Sequence, residues 1–185
     1  MPTKTHKTAV VLIPPQELWE PIQRIRRTYD RQVRRWMPHI TLIYPFRPAE
    51  EFPVLADRLA EACAALEPFE LTLAEFRWFA HGRRSFTIWL APEPAGKVRA
   101  LQAAIQQVVP DCDDVSRHAG GFTPHLSVGQ VRDRQRLERL LAQLTARWEA
   151  LRFVAREISL IRRGDPPDDV FRVERTASLG RPGQP

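Results

Sequence analysis

Apolar residues alternate with a period of two in some segments of the chain and recur every three to four residues in others. Alternating or β-branched runs predict strands at 8–13, 38–44, 69–78, 85–90, 122–128, 152–161 and 170–179. Apolar residues that share one helical face predict helices at 16–31, 50–66, 95–109 and 132–149. The glycine-containing turn at 81–84 joins two of the strands and indicates an antiparallel hairpin.

The order strand, helix, strand, strand occurs twice, once after His39 and once after His125. Corresponding positions keep a nearly constant offset, because His39 and His125 are 86 residues apart and Phe69 and Phe153 are 84 apart. A constant offset over separate elements indicates two similar lobes. We therefore predict an α+β fold with two pseudo-symmetric lobes of mainly antiparallel sheet, helices on the outer faces and a central cleft.

Length and composition restrict the class of protein. The chain has 185 residues, of which 43% are hydrophobic, enough for one sizeable core. We expect a single bilobed domain over residues 1–180 and a flexible tail at 181–185. No apolar run approaches the ~20 residues of a membrane span, and the N-terminus lacks a signal peptide pattern. The two cysteines exclude a disulfide scaffold and fit a reducing compartment, so we expect a cytoplasmic protein. We also expect a monomer.

The charge of the chain is basic and comes almost entirely from arginine. There are 28 basic and 22 acidic residues, and all but three of the basic residues are arginine. Arginine suits bidentate contacts to phosphate, so an anionic partner such as a nucleotide or RNA is one interpretation; a compositional bias is the other. One series directly precedes the first histidine segment and either guides RNA or forms a solvated helix face: Arg24, Arg26, Arg27, Arg31, Arg34 and Arg35.

Two short segments, Pro-His-Ile-Thr-Leu at 38–42 and Pro-His-Leu-Ser-Val at 124–128, match each other. Side chains of a strand alternate between its faces, so His39 shares a face with Thr41, and His125 with Ser127. A pseudo-twofold relation between the lobes would bring these polar faces into one cleft. A single histidine is more often a core or surface residue, but the occurrence of two histidines at equivalent repeat positions favours a functional site.

Two imidazoles and two hydroxyls suit the chemistry of a phosphodiester. Histidines with pKa values near ~6.5 can serve as general base and general acid. The hydroxyls of Thr41 and Ser127 can donate hydrogen bonds to the non-bridging oxygens, whose charge grows in the transition state. Neither segment supplies a carboxylate, and the set is poor for zinc, so no metal or other cofactor is expected.

The duplicated motif resembles that of the two-histidine (2H) phosphoesterase superfamily, in its RNA 2′,5′-ligase-like branch. The resemblance covers 8–180 and rests on 38–46, 124–130 and the closing segment 160–180. It implies a bilobed α+β fold and metal-independent action on 2′,3′-cyclic phosphates or 2′–5′ linkages, with His39 and His125 as the acid–base pair. Ser127 stands where threonine is commoner in the superfamily, and it retains the hydroxyl.

Further substrate contacts are predicted beside the two motifs. Tyr44, Phe46 and Phe122 flank them and could stack a base, although core packing is the alternative for Phe122. Arg163 follows a strand that should border the cleft. The expected partner is RNA or a nucleotide with a cyclic phosphate or a 2′–5′ linkage, acted on by hydrolysis or reversible ligation. The alternative is a non-catalytic nucleotide- or RNA-binding module on the same fold.

Overall fold

The computed structural model describes residues 3–180, so the tail predicted at 181–185 lies outside the described residues. The strands are β1 (Thr8–Leu12), β2 (Ile40–Ile43), β3 (Phe69–Ala80), β4 (Ser85–Glu93), β5 (Leu126–Arg132), β6 (Leu151–Ala155), β7 (Glu157–Arg162) and β8 (Arg172–Ser178). The helices are α1 (Trp19–Tyr29), α2 (Phe52–Ala64), α3 (Ala95–Val108) and α4 (Arg134–Arg147). No helix within 3–180 has the length and hydropathy to cross a bilayer.

Two four-stranded antiparallel sheets form the molecule, with the orders β2-β1-β7-β8 and β5-β4-β3-β6. The predicted α+β fold with two antiparallel lobes is thereby confirmed. Each histidine segment leads into an edge strand of its sheet, β2 or β5. Each of these edge strands pairs with the strand that precedes it in the chain, from which a helix separates it. The two edge strands are in contact with each other. The duplicated motifs therefore occupy equivalent edges that face the junction between the sheets.

The two sequence halves do not each form a lobe, contrary to the simplest interpretation of the repeat. The hairpin β3–β4, which follows the first motif, belongs to the sheet of the second motif. The strand predicted at 152–161 is two strands, because β6 pairs with β3 whereas β7 pairs with β1 and β8. The break falls at Arg156 and Glu157, where two consecutive exposed residues interrupt the alternation of buried and exposed positions.

One hydrophobic core runs through both lobes. Leu42 and Leu126, one from each motif strand, lie in it and have no exposed surface. A second, smaller cluster of Ala9, Val11, Ile161 and Phe171 covers the opposite face of the first sheet. Trp36 and Tyr44 pack against this smaller cluster, which places an aromatic layer beside the first motif.

Helix α1 connects the two strands β1 and β2 of the first sheet but packs against β5 of the second. The approach is close at Gly129, where an added Cβ would lie 2.5 Å from the Cβ of Tyr29. Only glycine fits there, since a side chain would displace the helix. The Gln130 amide donates to Asp30 at 3.2 Å, and its oxygen accepts from the backbone N–H of Arg31 at 3.0 Å. These contacts hold the second motif strand at a defined position relative to the first lobe.

Candidate active site

His39 and His125 have matching backbone environments. Nδ1 of His39 lies 2.7 Å from the carbonyl oxygen of Met37, and Nδ1 of His125 lies 2.8 Å from that of Thr123. A carbonyl can only accept, so Nδ1 carries the proton in each neutral ring and donates it two residues back along the chain. Nε2 is then the unprotonated nitrogen of both imidazoles. It is the atom through which each ring can accept or donate a proton.

Aromatic side chains fix the orientation of both imidazoles. The His39 ring stacks on Trp36, with centroids 4.6 Å apart, and Trp36 stacks in turn on Phe171 at 3.8 Å. The His125 ring meets Phe79 edge-on at 4.9 Å. These contacts, together with the Nδ1 hydrogen bonds, restrict rotation of the rings and hold each Nε2 in one direction. Trp89 completes the aromatic surroundings of His125. Its ring stacks on Phe79 with centroids 4.8 Å apart and lies 5.9 Å from the His125 ring.

A cleft of about 530 Å³ lies between the lobes and receives side chains from both motifs. Thr41 of the first motif and His125 of the second both line it, and His39 precedes β2 on the strand face that Thr41 shares. The remaining lining is mainly aromatic and polar: Tyr44, Phe79, Ala80, His81, Val115, His118, Gly121, Phe122 and Thr123. A phosphate with an attached nucleoside has the size and polarity for such a cleft.

Burial disfavours the protonated, charged form of both imidazoles. It lowers the pKa of His39 to about 4, against the opposing effect of the hydrogen bond to Met37. The charges of Arg26 and His125 lower the pKa of His39 further. Burial also lowers the pKa of His125, and the charge of His118 lowers it further. An anion bound between the rings would oppose all of these effects.

Three of the other predicted site residues line the cleft, and a fourth, Ser127, lies in β5 outside the cleft lining. Thr41, Tyr44 and Phe122 line the cavity and are each partly exposed. Ser127 lies in β5 opposite Trp89 and is also partly exposed, and His125 directly precedes β5. Tyr44 packs edge-on against Trp36 with centroids 5.4 Å apart, so the aromatic layer beside His39 continues to the cleft surface.

Phe46 and Arg163 do not line the cleft, in contrast to the expectation from their sequence positions. Phe46 is fully buried in the core, where its ring lies 5.9 Å from that of Phe52. Arg163 lies over Phe171 at 5.7 Å, donates to the carbonyl of Gly164, and lines a separate cavity. Both residues follow the end of a strand, where the chain turns and strand alternation no longer determines the direction of a side chain.

The arginine series before the first motif is largely engaged within the protein. Arg34 and Arg35 both bind the buried carboxylate of Asp169, each at a shortest distance of 2.7 Å. Arg26 is itself buried and pairs with Asp30. These three guanidiniums are structural, and Arg34 and Arg35 tether the segment after α1 to the turn before β8. They are not a free guide for RNA, because each is already paired with a protein carboxylate, although Arg34 and Arg35 share the single charge of Asp169.

Three residues of the site were not predicted from the sequence, namely Trp36, Phe79 and Trp89. Trp36 lies three residues before His39, which is a weak local signal. Trp89 is opposite Ser127 only through the pairing of β4 with β5, and Phe79 is opposite Thr87 in the same hairpin. Strand register between distant segments places them, so no spacing along the chain could have identified them.

The side chains around the cleft are suited to proton transfer and hydrogen bonding. They present imidazoles, hydroxyls and aromatic rings. Within 3–180 no three histidine, cysteine or acidic side chains come together as a group that could hold a metal ion.

Comparison with known proteins gives a consistent set of similarities. A family model described as the 2′-5′ RNA ligase superfamily matches residues 14–167. A curated Bacillus licheniformis protein, named as a candidate phosphoesterase, is 29% identical over 125 residues, which are 67% of this chain and 70% of the relative. A Geobacillus kaustophilus relative with the same kind of name is 26% identical over 125 residues, 67% of this chain and 69% of the relative.

Solved structures share the fold at low sequence identity. Escherichia coli LigT complexed with 3′-AMP superimposes with a TM-score of 0.59 at 14% identity, covering 97% of this chain and 100% of that one. The TT0787 protein of Thermus thermophilus gives a TM-score of 0.57 at 21% identity, covering 94% of this chain and 97% of that one. These likenesses show a common fold over nearly the whole chain.

Proposed function

Because the chain belongs to the 2′-5′ RNA ligase superfamily, we propose that it is a metal-independent phosphoesterase of the two-histidine type. Its substrates are RNA ends or nucleotides that carry a 2′,3′-cyclic phosphate, or RNA with a 2′–5′ linkage. The observation that carries the proposal is the matched pair of imidazoles. Each donates Nδ1–H to a backbone carbonyl and leaves Nε2 for chemistry.

A pKa of about 4 suits His39 to the role of general base, because the ring stays unprotonated at any pH well above that value. In hydrolysis, Nε2 of His39 takes a proton from water as the water oxygen attacks phosphorus. The bond from phosphorus to one ribose oxygen breaks, and that oxygen receives a proton from Nε2 of His125, which is protonated at both nitrogens in the reactive form. The cyclic diester becomes a phosphomonoester with one free ribose hydroxyl. Proton exchange with solvent then restores both rings.

The two motif hydroxyls would stabilise the phosphate during this reaction. Thr41 and Ser127 each lie two residues after a catalytic histidine, on the same strand face. Each can donate a hydrogen bond to a non-bridging oxygen, where negative charge increases in the transition state. Tyr44 and Phe122, at the wall of the cleft, are positioned to contact the nucleoside.

Hydrolysis and ligation use the same pair of proton transfers and differ in the attacking or leaving hydroxyl. We favour hydrolysis, because water always has access to an open cleft. In ligation a ribose hydroxyl of a second strand would replace the water, and its proton would go to the same imidazole. A pure binding module would need no pair of imidazoles with free Nε2 atoms, so the geometry favours turnover.

The proposal is tested by incubating the protein with RNA oligonucleotides and mononucleotides that end in a 2′,3′-cyclic phosphate, in the presence of EDTA. We expect conversion to phosphomonoesters that EDTA does not inhibit. Chromatography against 2′- and 3′-phosphate standards identifies the product, and 2′–5′-linked dinucleotides test the second substrate class. Tight binding of these compounds without turnover would instead establish a binding module.

The pH dependence of the reaction follows from the lowered pKa values. The productive free protein has His39 neutral and His125 protonated, so kcat/KM should fall below the His39 pKa of about 4 and fall again as pH rises through the lowered pKa of His125. We expect the maximum of kcat/KM between about pH 4 and 6.5. The kcat profile should lie at higher pH, since bound phosphate stabilises the imidazolium.

Initial rates with a cyclic mononucleotide, measured from pH 3.5 to 9 in buffers of constant ionic strength, give both profiles. A kcat/KM that increases continuously from pH 6 to 9 would contradict these roles, because it would require a group that must lose a proton above pH 6.

A further inference from the structure

A second cavity, of about 610 Å³, lies beside the cleft and is lined by basic, neutral polar and apolar residues. Its lining consists of Arg31, His81, Arg84, Ser85, Gln130, Val131 and Arg132, and we refer to it as the basic cavity. His81 lines both the cleft and the basic cavity, so the two spaces are adjacent. Three arginine side chains therefore line one depression that adjoins the cleft.

The three arginines of the basic cavity have no counterion within the described part of the chain. Among the ion pairs of residues 3–180, none involves Arg31, Arg84 or Arg132. The nearest acidic residues in sequence are otherwise engaged, because Asp30 pairs with Arg26 and Asp133 caps α4 through the N–H of Arg136. Three like charges in one depression repel each other unless an anion lies among them.

A contrasting cavity shows that this arrangement is not general for the arginine-rich surface. The cavity around Arg162 and Arg172 also contains several guanidiniums. There, Arg162 pairs with Glu174 and Arg172 with Asp168, and both carboxylates line the same cavity. Two of the three arginine charges of that cavity, all but that of Arg163, are neutralised internally, whereas all three charges of the basic cavity remain available to a ligand.

The backbone of the basic cavity is held in place before any ligand binds. Ser85 pairs with Arg132 at the ends of β4 and β5, and the carbonyl of Arg84 accepts from the N–H of Asp133 at 3.2 Å. The backbone N–H of Arg31 donates to the Gln130 side chain at 3.0 Å. Loop, hairpin and strand are thus tied together, which reduces the entropy lost when an anion is bound.

We propose that the basic cavity binds the backbone phosphates of nucleotides that adjoin the reacting one, so that the substrate is single-stranded RNA rather than a mononucleotide. This inference rests on the proposed function of the cleft. Guanidiniums bind phosphate through paired, charge-assisted hydrogen bonds. The aromatic wall of the cleft and the neighbouring basic depression together form the combination by which proteins hold single strands, namely stacking surfaces beside a cationic groove.

The test compares two variants of equal charge. The first replaces Arg31, Arg84 and Arg132 by glutamine. The matched control replaces three other exposed arginines that line neither the cleft nor the basic cavity, Arg99, Arg152 and Arg175, by glutamine. Substrates are an RNA pentanucleotide ending in a 2′,3′-cyclic phosphate and the corresponding cyclic mononucleotide. The measured quantity is the preference, the ratio of kcat/KM for the pentanucleotide to that for the mononucleotide.

We expect the first variant to lower this preference by about tenfold or more, and the control to change it by less than about twofold. The dependence of log affinity on log salt for the pentanucleotide should become shallower by about 0.7 for each phosphate that is no longer neutralised. An unchanged preference, or an equal loss in the control, would overturn the proposal. All three cavity arginines are exposed, so the fold should tolerate their replacement; Arg84→Gln alone, on the hairpin turn, provides a milder, single-site variant.

Direct binding separates this inference from the proposed function. Fluorescence anisotropy with a labelled RNA pentanucleotide reports affinity whether or not turnover occurs. The unchanged protein could turn over neither substrate while the Arg31, Arg84 and Arg132 variant binds the pentanucleotide more weakly than it does. That result would support the role of the basic cavity and reject the phosphoesterase proposal. Equal binding by the variant, the control and the unchanged protein would reject the proposed role of the basic cavity. It would not bear on the phosphoesterase proposal, which turnover of the mononucleotide tests separately.

Discussion

Replacement of His39 or of His125 by alanine is expected to lower kcat for a 2′,3′-cyclic phosphate by about 10²–10⁴-fold, the usual loss when a general acid or base is removed. Each substitution deletes the Nε2 atom through which one proton must move. The double variant should be little slower than the slower single variant, since the two groups act in the same step. Steady-state kinetics at the pH of maximum activity measure the effect.

Controls for this result come from the same cleft. Thr41→Ala and Ser127→Ala should each cost less than either histidine, because each removes one of several donors to the phosphate. His118→Ala removes an exposed imidazole at the cleft that lacks the Nδ1–carbonyl bond of the motif histidines. It should lower kcat by less than about tenfold. Full kcat with raised KM in His125→Ala would show that the second motif only clamps the phosphate.

Replacement of Asp30 by alanine is expected to lower the free energy of unfolding by about 3–5 kcal/mol, the usual cost of leaving one charge of a buried pair without its partner. Arg26 and Asp30 form that pair, with side chains only 2% and 4% exposed and Nε 2.8 Å from the carboxylate. The Asp30 carboxylate also accepts from the N–H of Gln32 and the amide of Gln130. Urea denaturation monitored by tryptophan fluorescence measures the change.

The double variant Arg26→Met/Asp30→Leu is the control, because it removes both charges and leaves none buried alone. It should lose less stability than Asp30→Ala. Equal losses would mean that packing and the bonds to Gln32 and Gln130, rather than the uncompensated charge, account for the effect.

This ion pair also supports the first histidine. Arg26 donates to the carbonyl oxygen of Trp36 at 2.9 Å, and the Trp36 ring stacks on His39. Asp30 reaches β5 through Gln130, which lies three residues after Ser127. The pair therefore connects the segment behind one motif to the strand of the other. Such a connection fixes the relative position of the two imidazoles.

The position of the candidate site could be predicted from sequence because its determinants are local. In a strand, two residues separated by one position point to the same side, so His39 with Thr41, and His125 with Ser127, form a polar face whatever surrounds them. The repetition of this pattern at a constant offset predicted two equivalent lobes. Most helices and strands were predicted for the same reason, since their apolar periodicity is a property of short segments.

Contacts between distant segments required the tertiary structure. Arg34 and Arg35 belong by sequence to a basic series, yet both bind Asp169, which lies 135 and 134 positions away. The basic cavity is built in the same way from three separate segments. Opposite charges pair wherever the fold brings them together, and spacing along a chain does not indicate which of its arginines will meet a carboxylate.

The α+β class, the approximate bounds of most elements and the two polar strand faces follow from local sequence, because alternation and helical periodicity act over a few residues. The sheet that each strand joins, the aromatic rings that hold the histidines and the arginines that meet a carboxylate depend instead on the packing of distant segments. The division at Arg156 illustrates the difference: the residues on either side form continuous extended chain, yet β6 and β7 belong to different sheets. Hydrogen bonding between strands is satisfied by partners from any part of the chain, so pairing depends on the packing of the whole core.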